Sequence, residues 1–399
     1  MKFFLSHPRA LRNLRPSEFS AKTRDFPDRK RAFSLIEVMV SVSILLMLMG
    51  VIFVILDSVS KVVNRAKATT ASFEGARVAF NALTARLSEA TLNPYRDYVN
   101  RDGNGRPLPA DDLDTPERED QTPSGALDGI QDYNSFTPSA YDRFSDLHFV
   151  SGQIKELLPE LLSGAVEGLG PLGSHATFFQ LPMGVSEEIE KHGRLLTLIN
   201  TTGFFIEFNS ESSLLPSIFE FLGITPKKSY RYRLMELQQP AERMSLYRMM
   251  PRIYRDDNTS ILWLQPDVMN WEEGRHVLAE NIIAMVLLPE SAAVSPNYKF
   301  DSKGYLLEPT DPIQKGNRNR LPKTMKVLLV SIDEASAIRF NARFGEAEPF
   351  GATGVFDVGA LFLDPDKIDD DLITLEEKLR ELKVEYRIFS REILVKGAE

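Results

Sequence analysis

Residues Phe33 to Leu56 read FSLIEVMVSVSILLMLMGVIFVIL, and everything else in the chain is organised around them. Glu37 is the only charge in the run, and the 19 residues from Val38 to Leu56 carry none before Asp57 closes it. At about 1.5 Å per residue, that uncharged run makes roughly 28 Å of helix, enough to cross the core of a bilayer. Directly upstream stand Arg29-Lys30-Arg31 and then Ala32.

Three ordinary readings of this stretch each fail on something. A secretory signal has an apolar core of about 7–15 residues followed by a small-residue cleavage site. This run is longer, and Asp57-Ser58-Val59-Ser60-Lys61 offers no such site. A plain membrane anchor does not require a carboxylate one turn into the span, where it costs energy in lipid. A buried core helix leaves the basic flank unexplained. A basic knot, a small residue and then Phe-Ser-Leu-Ile-Glu-Val resembles the type IV prepilin signal. That resemblance implies a prepilin peptidase as partner, cutting between Ala32 and Phe33 and methylating the new amino terminus. Glu37 then becomes the fifth mature residue, where the family keeps its glutamate. In that family the carboxylate meets the freed amine, on a neighbouring subunit or within the chain. Pairing with an ammonium removes much of the cost of a lone carboxylate in lipid. The simpler alternative is a glutamate held at the membrane interface by snorkelling.

Charge is unevenly placed along the 399 residues. Residues 1–32 hold nine Lys or Arg and three Asp or Glu, a net of +6, which leaves −15 of the whole-chain −9 for residues 33–399. Under the positive-inside rule the leader stays cytoplasmic and the acidic body crosses the membrane. Such a body is a poor partner for nucleic acid, which is gripped by Lys and Arg surfaces. With no cysteine, disulfides and thiolate metal sites are excluded.

The expected organisation has three parts. Residues 1–32 are a leader, broken by Pro8, Pro16 and Pro27. Residues 33–93 form one long helix, membrane-spanning over 36–56. Beyond Asp57 it becomes amphipathic through Val59, Val62, Val63, Ala66, Phe73, Ala76, Phe80, Leu83, Leu87 and Ala90. Asn93-Pro94 is expected to end it, since the residue before proline is pushed out of the helical region. Residues 94–399 form a head on the far side of the membrane. The fold class expected is α+β: a long N-terminal helix packed on a mainly antiparallel β-sheet head. This resembles the pilin lollipop.

Within the head, residues 96–128 hold nine acidic and four basic residues and read as a long solvated loop. Asn100 to Asp111 imitates a calcium loop, but Asn100, Leu108 and Asp111 are poor choices at their places, so a turn-rich acidic loop is the better reading. Strands are expected at 147–150, 176–181, 195–199, 204–208, 230–237, 261–264, 284–288 and 325–332. The alternation from Tyr230 to Leu237, with Arg231, Arg233 and Glu236 on or near one side, suggests a sheet with one wet face. Short helices are expected at 154–162, 273–283 and 372–382, with a turn near 239–250 and a closing hairpin from 384–390 and 392–396.

Enzymatic chemistry is not evident. His7, His148, His175, His192 and His276 fall in no ligand spacing, and no G-x-S-x-G occurs. Gly168-Leu-Gly-Pro-Leu-Gly173 has Pro171 inside it and no strong leading strand, so it reads as a turn and not a dinucleotide fingerprint. The expectation is therefore no catalytic residue, no cofactor, no metal and no small-molecule substrate.

Asn64 to Leu92, with Ala85-Arg-Leu-Ser-Glu-Ala, resembles the J-type minor pseudopilins of type II secretion. Leu92-Asn-Pro-Tyr-Arg-Asp-Tyr, Tyr232-Arg-Leu-Met-Glu, Leu278-Ala-Glu-Asn-Ile, Ser331-Ile-Asp-Glu-Ala-Ser-Ala and Tyr386-Arg-Ile-Phe resemble the Verru_Chthon cassette protein C family, pilin-signal proteins encoded as sets. The resemblance implies an inner-membrane protein with a periplasmic head, working beside sister pseudopilins or cassette proteins. Two roles follow. One is a structural subunit of a short filament of the type II secretion or type IV pilus kind. The other is a membrane-anchored binding module whose head captures a cargo or surface ligand.

Overall fold

The computed structural model describes residues 34–99, 140–158, 168–170, 174–188, 190, 195–210, 228–246, 263–290, 298–303 and 319–398. The chain divides into two compact units, residues 1–61 and 62–399. Helix α1 (Leu35–Ser88) contributes to both. The leader, residues 1–32, lies outside the described residues.

In the first unit every residue from Leu35 to Lys61 is exposed. In the second unit α1 buries one stripe: Phe73, Ala76, Phe80, Leu83 and Leu87, with Ala90 and Leu92 just beyond its end. Spacings of three and four put these side chains on one face. Val78, on the opposite face, is 68% exposed. The stripe is the one expected from the sequence from Phe73 onward, while Val59, Val62, Val63 and Ala66 stay exposed.

The helix stops at Ser88, before the predicted proline boundary. Tertiary partners take its last groups. Lys396 N–H donates to Ser88 O (2.9 Å), and Thr91 N–H donates to Gln180 O (2.9 Å). A helical continuation competes with both and loses.

Among the described residues the head carries three antiparallel sheets. Six strands run in the order β7-β6-β5-β4-β3-β9, from β3 (Val150–Gln153), β4 (His175–Pro182), β5 (Ile199–Ser210), β6 (Tyr230–Gln239), β7 (Arg275–Glu280) and β9 (Phe300–Asp301). Three more, β8 (Ile282–Pro289), β10 (Thr324–Ile332) and β11 (Tyr386–Leu394), run in the order β11-β10-β8. Strands β1 (Tyr95–Val99) and β2 (Ala140–Phe144) pair at the base of the acidic loop, whose first residues are thus a strand; the rest of 96–128 and the Asn100–Asp111 segment lie outside the described residues. Helices α2 (Glu334–Phe344) and α3 (Ile368–Glu381) complete the described set of longer elements. The architecture is α+β, with a long N-terminal helix and a sheet-rich head.

Helix α1 meets both large sheets. Phe80 packs on Phe389 of β11, ring centroids 5.8 Å apart. Arg391 of β11 lies over Phe80 and donates to Thr84 Oγ1 (3.3 Å) and Asn81 Oδ1 (3.1 Å). Arg86 pairs with Glu236 of β6.

Several sequence expectations are corrected by long-range pairing. Residues 273–283, expected as a helix, are a 3-10 turn followed by β7 and the start of β8. Asn281 at φ 63 breaks any helix there, and its N–H donates to Tyr232 O (2.7 Å) while its carbonyl accepts from Ile332 N–H (2.9 Å). That one residue passes the chain from one sheet to the other. The expected closing hairpin is the single strand β11, paired with β10 along its whole length from Thr324↔Leu394 to Ile332↔Tyr386. Residues 195–198 turn into β5, and Trp263 and Leu264 are buried but not in a strand.

Two of the charged residues of β6 expected on or near one wet face are instead buried, one on each face. Arg233 is 1% and Glu236 3% exposed. Pleat alternation puts them on opposite faces. Arg233 donates to Asn209 O (2.8 Å) and bonds Glu280 (3.3 Å), while Glu236 faces α1 and accepts from Thr202 Oγ1 (3.3 Å). Internal partners replace water, which is what allows a charge to be buried.

Candidate functional site

The feature that distinguishes this chain is the first unit's helix. Its large apolar side chains, from Leu35 (81%) to Val42 (47%), are all exposed. Water does not tolerate a contiguous apolar surface of that length, so it marks a membrane or a partner helix. It is the one helix among the described residues long and apolar enough to cross a membrane.

The few polar groups on this helix are satisfied locally. Ser41 Oγ donates to Glu37 O (2.7 Å), Ser43 Oγ to Met39 O (2.8 Å) and Ser58 Oγ to Val54 O (2.8 Å). Serine hydroxyls bonded back to the preceding turn present no free donor to an apolar surround. Asp57 pairs with Lys61 one turn on (2.7 Å), where the apolar run ends.

Glu37 sits in the first turn. Its Oε2 accepts from Ser34 N–H (3.2 Å), and its own N–H donates to Ser34 Oγ (3.2 Å). This reciprocal pair is a capping box, which satisfies two orphan donors at the helix start. Ser34 is therefore a local hydrogen-bond partner of Glu37 that the sequence analysis does not name, although Ser34-Leu-Ile-Glu37 is the S-x-x-E signature of such a box. Ala32 and Phe33 lie outside the described residues.

Two histidines of the head, His148 and His175, are buried in its core. His148 is fully buried. Trp263 Nε1–H donates to its Nδ1 (2.9 Å), so the proton sits on Nε2, which bonds Asp301 (2.7 Å). His175, also fully buried, accepts from Leu287 N–H at Nδ1 (3.0 Å), and burial pulls its ring down to about 4. His276 is exposed on β7, and His7 and His192 lie outside the described residues. Among the described residues no group of three His, Asp or Glu side chains could hold a metal ion. The Gly168–Gly170 part of the glycine-rich segment is a turn tied to β5 through Phe208 N–H to Gly168 O (2.7 Å). A small cleft in the head is lined by Phe208, Tyr230, Tyr232, Phe340 and Phe350, with Arg231 at its side.

Comparison with known families places one match on this geometry. Residues 27–53 match the prokaryotic N-terminal methylation motif. No curated protein and no solved structure matches the chain. The motif covers the basic knot, Ala32, Phe33, the capped Glu37 and most of the exposed apolar run. The chain thus carries a type IV pilin-like signal on a membrane-anchoring helix, the signature of a precursor processed by a prepilin peptidase and assembled with other pilins.

Proposed function

We propose that this chain is a minor pseudopilin, a structural subunit of an envelope filament of the type II secretion or type IV pilus kind. The prepilin peptidase cuts after Ala32 and methylates Phe33. Residues 33–93 carry the assembly helix, and residues 94–399 are a head delivered across the inner membrane into the periplasm. The +6 leader and the −15 remainder favour that orientation. One observation carries the reading. The methylation motif falls on the first-unit part of α1, whose apolar side chains are all exposed, with a single capped carboxylate in its first turn. In a filament those side chains leave lipid for the apolar surfaces of like helices. Glu37 then pairs with the freed amine of a neighbour or of its own chain. The size of the head suits a minor component, and the sister subunits are other pilin-signal proteins.

A photo-crosslinking residue at Leu46, 63% exposed, tests this. In cells with an active prepilin peptidase, adducts are expected with a second protein bearing a methylation motif, and they vanish without the peptidase. Adducts to lipid alone in both strains contradict the proposal.

A further inference from the structure

Behind the aromatic cleft lies a carboxyl group that the assembly role does not use. The segment from Gly345 to Asp357 folds back on itself. Val355 N–H donates to Pro349 O (2.7 Å), Gly354 N–H to Gly351 O (2.9 Å) and Val358 N–H to Phe350 O (3.1 Å). Phe350 N–H reaches across to the Tyr232 hydroxyl on β6 (2.9 Å). Gly345, Pro349 and Phe350 thereby form one wall of the cleft.

Glu348 is wedged behind that wall. A Cβ at Gly170 would sit 2.9 Å from its Oε1, and one at Gly351 would collide with Oε2, so two glycines permit the carboxyl to lie against backbone. Oε1 is buried and has no hydrogen-bond partner among the described residues. The titratable groups facing it are Asp357, from its own loop, and Tyr232, from β6. The Gly168–Gly170 turn brings none. An ionised carboxylate there has one oxygen cut off from water and no counter-charge among the described residues, whereas a neutral one costs less.

We propose that Glu348 is a proton-operated clasp: neutral, it closes the Gly345–Asp357 loop against the Gly168–Gly170 turn and β6; ionised, it releases Pro349 and Phe350 from the cleft wall. Burial, and then the Asp357 charge, push the Glu348 carboxyl from 4.5 up to about 7. Tyr232 is held far above its usual range by burial and by Glu348, so it stays neutral throughout. The sign follows from linkage. A carboxyl raised in the closed state binds its proton there and releases it when open, so closure is favoured at low pH. That advantage is lost as pH rises from about 4.5, and the loss is complete above about 7.

Global unfolding is a poor readout, because His175 titrates over the same window with the opposite sign. Hydrogen exchange of the 345–358 segment, in the full chain in detergent and corrected for intrinsic exchange, isolates the loop. Its protection is expected to fall by up to about tenfold per pH unit between pH 5 and 7 and then level off. In Glu348→Gln the profile is expected to be flat, and in Asp357→Asn its plateau is expected at lower pH. A flat wild-type profile overturns the proposal, as does the same slope in Glu348→Gln. Should Glu348→Gln fail to fold, an Asp357→Asn profile superimposing on the wild type overturns it equally.

Discussion

Replacing Glu37 with alanine is expected to reduce the Leu46 crosslink to sister subunits by roughly a hundredfold. The assembled state proposed here sets one carboxylate against one ammonium in an apolar surround. Removing one partner of a buried pair costs about 3–5 kcal/mol, because the other charge stays buried and unpaired. About 2.7 kcal/mol is already a hundredfold in an association constant. The effect acts on assembly and not on folding of the head, since Glu37 belongs to the first unit, where Ser34 holds its carboxylate. Head stability, read by urea unfolding of the extracted chain, is therefore expected to be unchanged. Glu37→Gln separates two roles. An amide keeps an oxygen for the Ser34 cap but has no charge for the amine, so a loss as large as that of alanine assigns the effect to the ion pair. Normal crosslinking by Glu37→Ala would leave the carboxylate as a helix cap and nothing more.

Leu83→Ala is expected to have the largest effect on the head. Leu83 is fully buried at the centre of the α1 stripe, between Phe80, which meets β11, and Arg86, which meets β6. Truncating a buried leucine loses its transfer free energy and leaves a cavity, about 3 kcal/mol in a well-packed site. Val78→Ala, on the exposed face of the same helix, is expected to change stability by less than about 0.5 kcal/mol. Both are read from urea midpoints at unchanged slope. Equal effects at the two positions would mean that the stripe does not anchor the helix to the head.

The two halves of α1 were legible in the sequence for different reasons. The apolar half is an uninterrupted composition signal, and the second half is a periodic one, and neither needs a distant partner to be seen. Phe73, Ala76, Phe80, Leu83, Leu87 and Ala90 are all buried as read. Misreadings arose where remote pairing decides. Residues 273–283 carry apolar spacings compatible with a helix, yet β6 and Asn281 set them as strands. Helix α2 gave little signal because the residues it buries are Ser336 and Ala337 while Ile338 is 53% exposed. Its start was marked only by Asp333, whose side chain accepts from Ser336 N–H (3.2 Å). By hydropathy Glu37 is a charge in lipid awaiting a partner. Its local partner, Ser34, is three residues away, and recognising it required capping chemistry and not hydropathy.

The most direct test of the central claim is the mass of the mature amino terminus of membrane-extracted protein. The account predicts a chain beginning at Phe33 and about 14 Da heavier than the unmodified product, from one methyl group on the new amine. An intact Met1 terminus in cells with an active prepilin peptidase would contradict it.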